Sequence, residues 1–144
     1  MKDLYLQPGK SYDRLYEEYR KYGSLVIGYD FDNTVYNLHQ LPESFDMVAQ
    51  LIRDLKEIGC KVICWTATND LGFVKQYLEE NEIPYDGINT NGIELPWDSR
   101  KPFYSAVLDD RAGLIQVYNE LSALVFRIIS EDLEKEKQNG KKKN

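Results

Sequence analysis

Three short apolar runs, each followed at once by a polar residue, constrain the fold of this chain more than any other feature. A continuous apolar run is typical of a strand buried on both faces, as in a parallel sheet. The runs are residues 25–29 before Asp30, residues 61–65 before Thr66, and residues 106–108 before Asp109 and Asp110. The sequence therefore predicts three buried parallel strands with polar side chains at their carboxyl ends.

The intervals between these runs carry apolar residues at helical spacing. Thr68 or Asn69 is expected to cap the helix that follows the second run. The predicted helices cover about 11–22, 42–58, 71–78 and 111–136. A short strand is expected at 87–89 and a loop, rich in Gly and Pro, at 90–102. The Lys-rich tail, 139–144, lacks apolar anchors and is predicted to be disordered, which leaves residues 1–138 as a single domain.

Alternating strands and helices predict an α/β fold with a mainly parallel sheet and helices on both faces. Such sheets bind ligands in the crevice beyond the carboxyl ends of their strands. We therefore expect the acids Asp30, Asp32, Asp109 and Asp110, which are far apart in sequence, to converge at one edge of the sheet.

Composition narrows the function classes. The chain has 144 residues, a net charge of −6 and no apolar stretch of the roughly 20 residues that span a bilayer. The acidic balance argues against broad nucleic-acid binding, and we expect no membrane partner. The first residues lack the apolar core of a signal peptide. Cys60 and Cys64, on one strand about 13 Å apart, cannot pair with each other, so reduced thiols and a cytoplasmic location are expected.

Four acids at one edge repel one another unless a cation lies among them, and oxygen ligands favour a hard ion such as Mg²⁺. A carboxylate can serve as the nucleophile in phosphoryl transfer. A second carboxylate close by can protonate the leaving oxygen and later activate water. Such a cluster therefore favours metal-assisted phosphate chemistry.

These residues resemble the motifs of the haloacid dehalogenase superfamily of phosphohydrolases. The segment Asp30-Phe31-Asp32-Asn33-Thr34 resembles its first motif, Asp-x-Asp-x-Thr. Thr66 resembles the second motif, Lys101 the third, and Asp109-Asp110 the fourth. The resemblance covers roughly residues 25–121 and implies a Rossmann-like three-layer sandwich.

The resemblance also implies the role of each catalytic residue. Asp30 is expected to be the nucleophile and Asp32 the general acid and base. Thr66 is expected to bind the transferring phosphoryl group, and Lys101 to neutralise it and orient Asp30. Thr68 is an alternative to Thr66, and Lys61 and Lys75 are alternatives to Lys101.

The implied binding residues complete the site. Phe31, Thr34 and Ala67 are expected to contact the phosphate, with backbone N–H groups near Phe31 and Ala67 taking part. The metal ligands are expected to be Asp30, Asp32 through its backbone carbonyl, and Asp109 and Asp110. Asp109 is the better candidate for direct metal contact, with Asp110 acting through water.

The intervals after Thr34 and after Thr66 are too short for a cap domain, so the chain resembles the capless branch of this superfamily. An open site admits a small-molecule phosphomonoester or a phosphorylated macromolecule, and a neighbouring subunit of a homo-oligomer can cover it. The strand that usually follows the fourth motif is expected to be absent.

The predicted function is hydrolysis of phosphomonoesters, with a nucleotide, a sugar phosphate or a phosphorylated macromolecule as substrate. Transfer to another acceptor and dehalogenation use the same Asp30, but dehalogenases of this family usually lack Asp32. The alternative of a different class is a non-catalytic scaffold or regulatory protein on the same fold.

Overall fold

The structure, a computed structural model, describes residues 3–142 and contains one parallel sheet flanked by helices. The strands are β1 (Val26–Asp30), β2 (Lys61–Trp65), β3 (Gly87–Ile88) and β4 (Ala106–Leu108). The helices are α1 (Lys10–Tyr22), α2 (Asp46–Glu57), α3 (Leu71–Glu80) and α4 (Leu114–Lys142), and a 3₁₀ turn covers Leu4–Leu6. The sheet order is β3-β2-β1-β4 with every pair parallel, which confirms the predicted α/β, Rossmann-like class.

The register of the sheet decides where the polar residues lie. In the central strand, Tyr29 is level with Cys64 of β2 and with Leu108 of β4. Parallel strands point the same way, so the next residues, Asp30 and Asp109, leave the sheet at the same edge. We call this edge the carboxyl edge and the opposite one the amino edge.

One face of the sheet carries the main core. Alternate residues of the strands, among them Ile27, Val62 and Leu108, join a single apolar cluster with side chains from all four helices. The crossovers through α2 and α3 step in the same direction along the sheet, so right-handed connections place both helices on this face. Burial of this cluster, in which Ile27 and Leu108 are fully buried, supplies most of the apolar area removed from water.

The other face is covered by a segment without regular structure, residues 89–105, where the prediction had placed a helical layer on both faces. Gly92 lies so close to this face that a Cβ there would be 3.0 Å from Val26 Cγ1 and 3.4 Å from Ile63 Cγ1. The third layer is therefore this segment, which packs closely on the sheet at Gly92 because glycine has no side chain. The predicted loop at 90–102 agrees with it.

The start of α2 and the cap of α3 differ from the prediction, because side chains in the preceding turns take the first amide groups. The hydroxyl of Ser44 accepts a hydrogen bond from the N–H of Asp46, so α2 begins at Asp46 and not at Pro42. In α3 the cap is neither Thr68 nor Asn69. Asp70 caps this helix, because its Oδ1 accepts from the N–H of Phe73 at 3.0 Å.

The prediction of a disordered tail from Asn139 is corrected, since α4 continues to Lys142. Residues 134–137 are strong helix formers, and Lys141 and Lys142 lie in the last turn, where positive charge favours the helix dipole. Residues 143–144 lie outside the described residues.

Within the described part of the chain, no cap domain interrupts the fold, and α4 follows the turn after β4 with no further strand. None of the helices between residues 3 and 142 combines the length and the apolar character needed to cross a membrane. Cys60 and Cys64 are buried free thiols.

Candidate active site

Three carboxylates meet at the carboxyl edge of the sheet. One oxygen each of Asp30, Asp109 and Asp110 lies within 4.8 Å of the other two. Asp30 ends β1 and the other two follow the adjacent β4, so the sheet register alone brings them together. The predicted convergence is confirmed for these three acids, which we call the carboxylate cluster.

A tight turn after Asp30 folds the chain back over the strand end. The carbonyl of Phe31 accepts hydrogen bonds from the N–H groups of Thr34, Val35 and Tyr36 at 3.4, 3.2 and 3.0 Å. Asn33 adopts a left-handed backbone with φ 59°, which Asn tolerates better than most residues. The turn places Thr34 beneath the carboxylate cluster.

Thr34 joins two members of the cluster. Its hydroxyl donates to Asp30 Oδ2 at 3.4 Å and accepts from the N–H of Asp110 at 3.2 Å. The side chain is 1% exposed. The hydroxyl is thus engaged by the protein and links Asp30 to Asp110. The predicted contact of Thr34 with phosphate stays a prediction.

The electrostatics of the cluster are unfavourable in the protein alone. The pKa of Asp30 is raised to about 7, first by burial, then by the negative charge of Asp109 and by a hydrogen bond with Asp110. The backbone N–H of Phe31 lowers it in part. A bound cation would offset this repulsion.

Asp109 and Asp110 differ in how firmly they are held. Asp109 is half-buried, and its Oδ1 accepts from the N–H of Arg111 at 2.9 Å. Asp110 is exposed. Both contribute an oxygen to the cluster, so the predicted preference for Asp109 as the direct metal ligand stays a prediction.

The carboxylate of Asp32 is not part of the cluster, so the expected convergence does not extend to this fourth acid. The predicted contact of its backbone carbonyl with a metal stays a prediction. Asp32 is half-buried, and its backbone bridges to Tyr36. The pKa of Cys64 is raised to about 12, first by burial and then by the charges of Asp30 and Asp32. Asp32 therefore lies near the ends of the two central strands.

Thr66 leaves β2 one residue beyond Trp65, which is level with Asp30. The side chain of Asn89 binds both backbone groups of Thr66. Its Oδ1 accepts from the Thr66 N–H at 2.8 Å, and its Nδ2 donates to the Thr66 carbonyl at 2.9 Å. Sequence reasoning missed this role of Asn89. An Asn directly after a strand, in the left-handed conformation with φ 55°, was the available signal.

Next to Thr66, the exposed Ala67 continues the same turn, and the hydroxyl of Thr66 accepts from the N–H of Thr68 at 3.2 Å. The Thr66 hydroxyl keeps its own proton and one lone pair for a ligand. The predicted preference for Thr66 over Thr68 stays a prediction.

Within the described residues, Lys101 forms no salt bridge with the carboxylate cluster, and its predicted role stays a prediction. Its side chain is exposed, and no lysine or arginine is among the groups that shift the pKa of Asp30. The residues that follow it, Phe103 and Ser105, line a cavity at the amino edge, because the segment crosses the sheet face from one edge to the other. The alternative Lys61 begins β2 at that same distant edge.

Four aromatic side chains pack around the turn that follows Asp30. Phe31 stacks on Tyr36 with ring centroids 5.0 Å apart, and Phe73 and Tyr77 of α3 pack edge-on against this pair. Such pairs add about 0.5–1.5 kcal/mol each beyond their burial. Phe31 is thus a buried packing residue whose side chain is unavailable to a substrate, whereas its backbone N–H remains at the site.

No protein-family model matches the chain, and no curated protein matches it. A solved structure described as a conserved protein from Bacteroides thetaiotaomicron is similar, with a TM-score of 0.56 and 17% sequence identity. The likeness covers 69% of this chain and 91% of that one. At this identity it shows the fold alone.

Proposed function

We propose that this protein is a magnesium-dependent phosphomonoester hydrolase that works through an aspartyl-phosphate on Asp30. The observation that carries the proposal is the carboxylate cluster, whose oxygens lie within 4.8 Å of one another at the edge of a parallel sheet. Open parallel sheets bind their ligands at this edge. The motif resemblance of Asp30 and Asp32 adds the assignment of nucleophile and acid.

The donor set fits a hard divalent cation. Asp30, Asp109 and Asp110 would hold Mg²⁺ through carboxylate oxygens, with the backbone carbonyl of Asp32 as a further ligand. When bound, the ion supplies positive charge that offsets the phosphate and the clustered acids. The pKa of Asp30 is raised first by burial and then by the charge of Asp109, and a bound cation would act against both.

The proposed chemistry has two steps. In the first, Asp30 attacks phosphorus, the bond to the leaving oxygen breaks, and Asp32 gives that oxygen a proton. In the second, Asp32 takes a proton from water, the water oxygen attacks phosphorus, and the bond to Asp30 breaks to release phosphate. Thr34 holds the Asp30 carboxylate in one orientation during both steps, through its 3.4 Å hydrogen bond.

Phosphate contacts in this scheme come from the turns that flank the cluster. The hydroxyl of Thr66 and the backbone N–H groups of Phe31 and Ala67 would bind the phosphoryl oxygens. Asn89 keeps the Thr66 turn in place through two hydrogen bonds. Since no lysine or arginine of the described residues forms a salt bridge with the cluster, the proposed enzyme relies on its metal for positive charge, and metal-free protein is expected to be inactive.

The lack of a salt bridge between Lys101 and the cluster also favours the second candidate, a non-catalytic regulatory or scaffold protein. Phosphate release from p-nitrophenyl phosphate, with magnesium and with a chelator, separates the two. For the hydrolase we expect magnesium-dependent turnover, lowered by about 10⁴-fold or more in Asp30→Asn. Asp13→Asn is the matched control, because Asp13 is an exposed acid in the first turn of α1.

Turnover that survives in Asp30→Asn would contradict the nucleophile assignment. Absence of turnover across nucleotides, sugar phosphates and aryl phosphates, in protein that still binds magnesium, would favour the scaffold.

A further inference from the structure

A cavity of about 770 Å³ lies at the amino edge of the sheet, on the side of the strands opposite to the carboxylate cluster. Its walls are the last turns of α1, the beginnings of the strands and the segment that covers the helix-free face. Its charged lining residues are Arg14, Glu17, Glu18, Lys21 and Lys61. The volume lies within the roughly 300–1,000 Å³ of small-molecule sites.

The inner part of the cavity is apolar. Leu25 and Val26 form buried wall, with 2% and 6% exposure. Ile93 and Phe103 are 38% and 41% exposed, and Tyr22 is 69% exposed. These large apolar side chains surround one concave space, whereas isolated exposed apolar residues are ordinary on a protein surface.

The rim is cationic although the chain is acidic. Three cationic and two acidic side chains line the cavity, against a net charge of −6 for the chain. Arg14 is committed to Glu18 at 2.8 Å and to the carbonyl of Ser105 at 2.9 Å. Across residues 3–142, Lys21 and Lys61 have no carboxylate within salt-bridge distance.

The floor of the cavity is rigid. The N–H of Val26 donates to Ser105 Oγ at 3.1 Å, and the N–H of Ser105 donates to the carbonyl of Val26 at 2.6 Å. Arg14 fixes the same residue from the helix side. The cavity thus combines an apolar space and a fixed floor with two ammonium groups that form no salt bridge across the described residues, of which that of Lys21 lies over the Tyr22 ring, 5.1 Å from its centroid. Such a site is complementary to a molecule that is apolar at one end and anionic at the other.

We propose that this cavity binds a small amphipathic organic anion, an aromatic or aliphatic body that carries a single acidic group. The body occupies the space between Val26, Ile93 and Phe103, and the anionic group lies between Lys21 and Lys61. The proposal is independent of the hydrolase function, because none of the cavity residues belongs to the carboxylate cluster.

The probe for the test is 8-anilinonaphthalene-1-sulfonate, which combines fused rings with one sulfonate. We expect wild-type protein to bind one probe, with a rise in fluorescence, and we expect backbone amide signals of Leu25, Val26 and Ser105 to shift in NMR titrations. The double variant Lys21→Gln/Lys61→Gln is expected to bind about 10-fold more weakly or worse, since it removes the charge-assisted contacts with the sulfonate.

The matched control is Lys141→Gln/Lys142→Gln, which makes the same change of charge at the far end of α4. It is expected to bind the probe as wild type does. N-phenyl-1-naphthylamine, which has similar rings and no sulfonate, is expected to bind wild type more weakly and to respond little to the Lys21/Lys61 change.

A second variant, Ile93→Asp, places an acid in the apolar wall at a residue already 38% exposed, so the fold is expected to survive, as circular dichroism can check. It is expected to lower probe affinity about 10-fold or more. The proposal is overturned if the probe does not bind, if both lysine pairs lower affinity equally, or if the shifted amides lie away from the amino edge.

Discussion

The two edges of the sheet are built from the same strands but have opposite chemistry. At the carboxyl edge, β1 and β4 end in three acids, and their nearest neighbours are short turns that leave the site open. At the amino edge, the same two strands begin beside a cavity of about 770 Å³ whose rim carries lysine and arginine. The carboxyl edge therefore suits a cation, and the amino edge suits an anion with an apolar body.

The difference follows from what covers each edge. Short turns at the carboxyl edge expose strand ends, so its chemistry depends on the few residues next to each strand. The amino edge is enclosed by α1 and by residues 89–105, two segments that a minimal βαβ arrangement does not require. The proposed catalytic function and the proposed binding function therefore depend on different parts of the chain and can be disrupted separately.

The largest expected effect at the carboxyl edge, after loss of the nucleophile, comes from Asp109→Asn. It removes a charge that is half-buried and fixed by the N–H of Arg111. We expect magnesium affinity and kcat/KM to fall by more than about 100-fold, whereas the exposed Asp110→Asn should have a smaller effect. Isothermal titration with Mg²⁺ and steady-state kinetics measure both, and binding of the anilinonaphthalene probe should not change.

If Asp110→Asn proves the more harmful of the two, Asp110 is the direct ligand and the assignment of Asp109 is wrong. If Asp109→Asn also weakens binding of the probe, the two edges cannot be disrupted separately.

A smaller effect is expected from Thr34→Val, which keeps the volume of the buried side chain but removes both of its hydrogen bonds to the cluster. We expect kcat to fall about 10- to 100-fold with little change in KM, because Thr34 acts through Asp30 and Asp110 and does not touch the substrate. Thr34→Ser retains the hydroxyl and should recover most of the activity. A change confined to KM would place Thr34 in the phosphate site instead.

The smallest effect concerns stability, measured by thermal unfolding with a chelator present. The pKa of Asp30 rises from 3.8 to about 7 in the folded chain, mainly by burial, so protonated Asp30 stabilises the fold fully below pH 3.8. This contribution is lost as the pH rises through about 7. Asp30→Asn cannot ionise, so it should match wild type near pH 4 and be more stable at pH 8, by about 1 kcal/mol after allowance for solvent screening.

In the midpoint of unfolding, this difference corresponds to about 2–4 °C. Asp13→Asn, far from the cluster, should show no such dependence on pH. If the stability difference between Asp30→Asn and wild type is the same at both pH values, the pKa of Asp30 is not raised in the folded chain.

Much of the sheet could be predicted because parallel strands that are buried on both faces consist of continuous apolar residues. The run at 61–65 has the bounds of β2, and the register then brought Asp30 and Asp109 together without further information. Local patterns suffice here because the strand is a local structure and its carboxyl end is a fixed place in the fold.

The features that escaped prediction depend on tertiary contacts. The path of residues 89–105 over the sheet follows no helical or strand period. The role of Thr34 depends on Asp110, a residue 76 positions away. The amino-edge cavity is lined from α1, two strands and the covering segment, so no contiguous motif in the sequence marks it. The position of Asn89 directly after a strand is visible in the sequence. Its two hydrogen bonds to Thr66 are not, because the two residues lie 23 positions apart.

The covering segment over the helix-free face also has a consequence for motion. A helix protects its amides through its own repeating hydrogen bonds, but residues 89–105 have few internal backbone bonds and rest on the sheet through contacts such as that of Gly92. Regions of this kind open locally at a lower free energy than the core. Amide hydrogen exchange should therefore be fastest here among the layers that flank the sheet, and the amino-edge cavity then has an entrance that opens without unfolding the strands that carry the carboxylates.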